Sequence, residues 1–282
     1  MTSLVFFSVI AAAAMHAGWN ALVKVALDRL RAMFLLTLCM GFISLGALPF
    51  LDAPHPDSWG FLVASGLLHA GYMIFLIKAY EIGDLAQIYP LARGTAPMLS
   101  TFAAWFFAGE ALSPMMGAGI ALVLSGIYVM GMHGGGRGQA KLSSKAILFA
   151  LVTSLFISAY TITDGLGVRL SQAASSYTAW LFVLDMVTMT IAVFFWRGRA
   201  AFRNLTPHIG KGLVAGALSL GSYWIALWAM TQAPIGAVAA LRETSILFAL
   251  LISTIFLKET FTVWRAAAAV LILAGAAALR FS

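Results

Sequence analysis

A chain of 282 residues that is 62% apolar and only 10% charged is excluded as a soluble domain, which carries roughly 25% charged residues. Its net charge of +7 is spread over loops rather than gathered on one face, which argues against a nucleic-acid partner. The single cysteine, Cys39, excludes an internal disulfide.

Ten apolar runs are long enough to cross a bilayer as helices, at about 4–23, 32–51, 60–79, 85–107, 114–132, 146–166, 176–196, 210–230, 234–257 and 262–280. Alternating strand patterns are absent, which argues against a barrel. The first run lacks a basic leader and a cleavage site and is read as a retained helix.

Along the chain, helix 1 carries His16, Trp19 and Asn20, with His16 and Asn20 on one face. Helix 2 is nearly featureless and expected to face lipid. The turn-rich loop 52–57 cannot continue a helix. Helix 3 brings His69 and Tyr72 to one face. Helix 4 contains Tyr89, Pro90, Arg93 and Pro97; each proline removes a backbone donor, so this helix is expected to bend. Helix 5 is rich in Gly, Ala and Ser, suited to close packing. Residues 133–145, HGGGRGQAKLSSK, form a flexible polar linker. Helix 6 then places Tyr160 and Asp164 on one face, helix 7 carries Asp185 near its centre, and helix 8 carries Tyr223, Trp224 and Trp228. Helix 9 holds Arg242 and Glu243, and helix 10 is again rich in small residues.

The two halves repeat. Residues 86–110 and 235–259 align at an offset of 149, which superposes Arg93 on Arg242, Thr95 on Thr244, Glu110 on Glu259 and, further on, Gly126 on Gly275. GLLHAG (66–71) is echoed by GALSLG (216–221) at an offset of 150. The expected organisation is a first five-helix repeat over 1–132, the linker over 133–145, and a second repeat over 146–282. Five is odd, so the second copy enters from the opposite side. The fold class is therefore all-α integral membrane, ten transmembrane helices as two inverted repeats, an arrangement of many secondary transporters. Sorting Lys and Arg by side puts 13 in the loops after helices 1, 3, 5, 7 and 9 and 2 on the other side. The excess marks the cytoplasm, so both termini are expected outside.

Pro90 to Pro97 followed by GE (109–110), and AVAAL (237–241) followed by LKE (257–259), each with a small-residue helix after it, resemble the drug/metabolite transporter superfamily and its EamA-type ten-helix members. The resemblance implies a central cavity lined by helices 1, 3, 4, 6, 8 and 9, with 5 and 10 peripheral. Exporters of aromatic and other amino acids are similar within that superfamily. The second copy departs from the pattern: Pro90 and Pro97 fall on Ala239 and Ile246, which puts equal bending of helices 4 and 9 in question.

Arg93 and Arg242 are the foremost candidates. An arginine at mid-membrane costs at least ~2.5–3.5 kcal/mol, and its forked guanidinium suits a substrate carboxylate. Against that stands a structural ion pair with Asp164, Asp185 or Glu243. His69, Tyr72, Tyr89, Tyr160, Trp224 and Asn20 complete the substrate-binding set. Glu243 and His16 are the proton-coupling candidates, histidine titrating nearest neutrality. Asp185 is a third candidate, but helix 7 is expected to be peripheral and its acid to anchor a neighbour. Pro90 and Pro97 are the gating candidates. Trp19 and Trp228 fit the interfacial belt, and Glu110 and Glu259 fit caps or turns at helix ends.

GxSxG, HExxH, P-loop and paired-cysteine motifs are absent, so an enzyme, a cofactor and a metal are not expected. The function expected is a secondary transporter of the inner membrane that exports small metabolites, chiefly amino acids, by alternating access, as a monomer or homodimer. A drug, nucleotide-sugar or lipid-intermediate transporter is the alternative, ahead of a membrane enzyme or sensor.

Overall fold

The computed structural model describes the chain apart from residues 25–28, 83–84, 134–142, 203–204, 206–207 and 257–260; the side chains of 24, 29–30, 77, 80–82, 85–90, 133 and 200–201 are likewise outside the description. Among the described residues the chain is all-helical. The helices are α1 (Ser3–Lys24), α2 (Arg29–Ala47), α3 (Trp59–Ile82), α4 (Leu85–Phe107), α5 (Pro114–His133), α6 (Ser144–Ser171), α7 (Ala174–Arg197), α8 (Ile209–Met230), α9 (Ile235–Arg242), α10 (Ser245–Ile255) and α11 (Val263–Phe281). Nine spans of the described residues are long and apolar enough to cross a membrane, α9 and α10 counting together as one; α4, with 23 residues, is as long as the others. Phe7, Phe50, Phe102, Phe195 and Phe256 are exposed, as lipid-facing side chains are in a multi-pass membrane protein.

The packing has the symmetry of two repeats. α3 lies along α6 as α8 lies along α1, and α2 meets α8 as α7 meets α3. α4 crosses onto α6, and α1 meets α9 and α10 in the same sense. Three pairs join equivalent elements: α2 with α7, α4 with α9, and α5 with α11. The first half and the second thus enclose a common centre reached by α1, α3, α4, α6, α8 and α9. The termini come together, the amino group of Met1 donating to the Ser282 carbonyl at 3.2 Å.

Bending follows a different rule from the one the prolines suggest. α4 is helical without interruption through Pro90 and Pro97. The proline-free partner is the divided one: α9 ends at Arg242, Glu243 and Thr244 form a turn, and α10 begins at Ser245. There the Glu243 and Thr244 amides donate back three residues, to Ala240 (3.1 Å) and Leu241 (3.1 Å), the tighter 3₁₀ pattern. Pro97 removes the amide that would meet the carbonyl of residue 93, and the helix continues past it, with the Thr101 hydroxyl donating to the Pro97 carbonyl at 2.8 Å.

Candidate functional site

Arg93 projects from α4 toward the α9–α10 junction. Its Nη2 donates to Glu243 Oε1 at 2.8 Å, with the two side chains 15% and 8% exposed. This is the ion pair weighed above as the bland reading of Arg93, and it neutralises a charge that would otherwise be costly at this depth. Glu243 Oε2 is buried and has no hydrogen-bond partner.

Arg242 is differently placed. Among the described residues it has no carboxylate within ion-pair distance; its guanidinium lies over the Tyr223 ring, 5.0 Å from the centroid. A cation over an aromatic face gains about 0.5–2 kcal/mol, less than a buried charge pair, so the fork of donors is still open to an anion. Tyr223 is held in turn: its hydroxyl donates to Asp164 Oδ2 at 2.6 Å, while the Tyr177 hydroxyl donates to Oδ1 at 3.2 Å. Asp164 is fully buried, and two phenol donors satisfy it without a cation.

Beside this lies an aromatic cluster. His69 from α3 stacks on Tyr160 from α6, centroids 4.0 Å apart and planes at 21°, and meets Tyr223 edge-on at 6.2 Å. Tyr72 meets Tyr160 edge-on at 5.8 Å. The i, i+3 spacing of His69 and Tyr72, and the i, i+4 spacing of Tyr160 and Asp164, put each pair on one helical face. His69 Nδ1 is 3.0 Å from the Ser65 carbonyl and 3.2 Å from the Ser65 hydroxyl. His16 is buried edge-on to Trp19 at 5.0 Å, its Nε2 unpartnered, within electrostatic reach of both arginines.

The structure therefore gathers Arg242, Tyr223, His69, Tyr160 and Tyr72 in one place, with Arg93, Glu243 and His16 alongside. Two of the expected residues point elsewhere. The Asn20 amide donates to the carbonyl of His16 in its own helix (2.8 Å), and the Trp224 indole donates to Ser175 at the start of α7 (3.1 Å). The Trp19 indole nitrogen is buried. Pro97 is buried in an unbroken α4. The side chains of Tyr89 and Pro90, and all of Glu259, lie outside the described residues.

Sequence reasoning names Tyr223 among the possible pocket aromatics but prefers Trp224, which it places further in. It passes over Arg169. Glu110 does act at a helix end, but at that of α9 in the other repeat: its Oε1 accepts from the Ile235 amide at 2.9 Å and from Arg169 Nη2 at 2.7 Å. Arg169 also donates to the carbonyls of Met230 (2.7 Å) and Ala233 (3.0 Å). Arg169 is one of only two basic residues assigned to its side of the membrane, a rarity that could have singled it out. A cluster of three or more side chains able to hold a metal is absent among the described residues.

A family model described as the EamA-like transporter family matches the chain twice, over residues 3–132 and 144–281. Among curated proteins nothing matches. A solved structure recorded only as a crystal structure of a protein is similar over 98% of this chain and 95% of its own, with a TM-score of 0.74 at 17% identity; likeness at that identity speaks to fold alone.

Proposed function

The chain belongs to the EamA-like transporter family, whose members carry small molecules across membranes, and from that premise we propose that it exports amino acids, aromatic ones among them. The single observation behind the substrate class is that Arg242 is the arginine left open. The repeat explains why. Glu243, which engages Arg93, has Gly94 as its counterpart at the offset of 149, so the symmetric partner for Arg242 has no carboxylate to offer. A substrate carboxylate fills that gap, taking both arms of the guanidinium. His69, Tyr160 and Tyr72 then supply a flat, polarisable wall for an aromatic side chain, where ring pairs contribute about 0.5–1.5 kcal/mol beyond burial.

Alternating access requires a joint near the substrate. The 3₁₀ turn between α9 and α10 carries Glu243 and adjoins Arg242, and such interruptions are common hinges. This moves the gating role from Pro90 and Pro97 to Glu243 and Thr244. The excess of basic residues on one side supports an inner-membrane protein with both termini periplasmic. The small-residue faces of α5 and α11 are used on each other within the chain, which supports a monomer as the working unit.

Purified protein in sealed proteoliposomes should take up labelled phenylalanine saturably, and Arg242→Ala should reduce that uptake at least tenfold while insertion and melting temperature are kept. Uptake unchanged in Arg242→Ala would remove Arg242 from the site. No amino-acid uptake by the native protein would overturn the substrate class.

A further inference from the structure

Asp185 stands outside the site just described, and its surroundings are unusual for a membrane acid. It lies half-way along α7, its side chain only 12% exposed, and Oδ1 is buried with no hydrogen-bond partner. Among the described residues the basic group within ion-pair distance is His69, whose Nδ1 is 3.9 Å from that oxygen. Both side chains border a cavity of about 60 Å³ between α2, α3 and α7, whose walls include Thr37, Tyr72, Thr188 and Trp196. That volume has room for about two waters at their liquid share of ~30 Å³. From Asp185 the lining follows α7 to Trp196 in its last turn, 43% exposed, roughly 16 Å at the helical rise. An acid with a buried, unpartnered oxygen, beside a histidine and bordering a mainly apolar cavity that reaches toward the end of α7, is arranged to exchange a proton with water.

We propose that Asp185 and His69 form a proton-binding site, entered through the cavity between α2, α3 and α7, that couples transport to a proton gradient. The chemistry is a single transfer: hydronium in the cavity gives H⁺ to the unpartnered Asp185 oxygen and leaves as water, and the same oxygen returns H⁺ to water as hydronium when the cavity communicates with the other side. A site for a metal ion is not formed here: among the described residues no group of three or more His, Cys, Asp or Glu side chains could hold one. The titratable neighbours are Asp164 and Tyr160 on α6, Tyr72 on α3 and Tyr223 on α8. Arg242 acts on His69 electrostatically from α9, and no lysine or arginine is among the cavity's lining residues.

His69 is the member common to both sites. One of its ring nitrogens faces Asp185, one face is stacked on Tyr160, and its edge meets Tyr223 under Arg242. Proton arrival at Asp185 therefore changes the charge seen by the ring that walls the substrate site. This coupling rests on the substrate reading above, whereas the proton site stands without it.

Infrared difference spectra of the purified protein between pH 5 and pH 9 test it with no substrate present. The native protein should show a protonated-carboxyl band that disappears as the pH rises, is absent from Asp185→Asn, moves in frequency in Asp185→Glu and titrates at a different pH in His69→Gln. A band unaffected by Asp185→Asn, or no titrating carboxyl in the native protein, would overturn the proposal. In proteoliposomes, an imposed pH gradient should raise native uptake and leave Asp185→Asn uptake unaltered; an equal response in both would also overturn it. Failure of native amino-acid uptake with the infrared band present would count against the substrate reading alone.

Discussion

Gly126 and Gly275 occupy equivalent places in the two halves and make equivalent contacts. A Cβ on Gly126 would come 2.8 Å from the Ala268 carbonyl, and one on Gly275 would come 2.7 Å from the Gly119 carbonyl. Positions 119 and 268 are themselves 149 apart, the repeat offset. The contact between α5 and α11 thus maps onto itself when the halves are exchanged, as an axis lying in the membrane plane requires. Close approach of helix backbones is what small residues permit in a bilayer.

Gly126→Ala and Gly275→Ala should therefore be equally harmful, each costing of order 1–3 kcal/mol by overpacking against backbone that cannot yield. Gly46→Ala is the control: a Cβ there meets nothing within 4 Å, and the change should stay within about 1 kcal/mol of neutral. Thermal unfolding in one detergent checks all three; a Gly275→Ala protein as stable as Gly46→Ala would show that α5 and α11 are not held this closely.

Arg93 and Glu243 should behave as a structural unit. Removing either alone leaves the other charged and buried, a loss of about 3–5 kcal/mol, whereas removing both leaves no orphan. Arg93→Ala and Glu243→Ala should each lower the melting temperature, and the double variant should recover part of the loss. Arg242→Ala should melt near the native temperature, because no partner is stranded. A double variant that melts at the sum of the single losses would separate the two residues.

Tyr223 has two functions that can be pulled apart. Tyr223→Phe keeps the ring beneath Arg242 but withdraws the donor at 2.6 Å from Asp164. Leaving a buried carboxylate oxygen unmet costs about 1–3 kcal/mol, so stability should fall while the KM for substrate stays within a few-fold. Tyr223→Leu should lose both. Equal transport in Tyr223→Leu and native protein would exclude the ring from positioning Arg242.

Much of this was legible in the residues, and the parts that were not share a physical cause. Apolar runs and an offset of 149 are one-dimensional signals, so the ten segments, the two halves and the pair Arg93 and Arg242 could be read directly. Arg93 and Arg242 look alike in sequence, yet one is paired and the other open; the difference lies in Glu243 against Gly94, and it matters only once α4 and α9 cross. Helix bending was read from proline, a local rule, but α9 ends without one, at a turn made by backbone bonds that no residue type announces. Asp185 was discounted because helix 7 was expected at the periphery; the cavity shared with α3 is what brings it to His69.

Glu110 and Arg169 meet at the opposite end of the bundle from the α7 terminus that carries Trp196. Glu110 belongs to the first half, while Arg169 and the Ile235 amide belong to the second, and the three meet at 2.7 and 2.9 Å. The clamp joins the loop after α4 to the ends of α6, α8 and α9, so a transporter that opens on this side must break it. Charged contacts at a helix N-terminus favour the closed state twice over, through the ion pair and through the α9 dipole. With the buried Cys39 replaced by Ala, Glu110→Cys with Arg169→Cys should be bridged by a short bifunctional thiol reagent. The bridged protein should lose uptake, and reduction of a cleavable reagent should restore it. Neither single-cysteine variant should respond to the reagent. Full transport by the bridged protein would mean that the two halves never part at this face, and that alternating access takes another route.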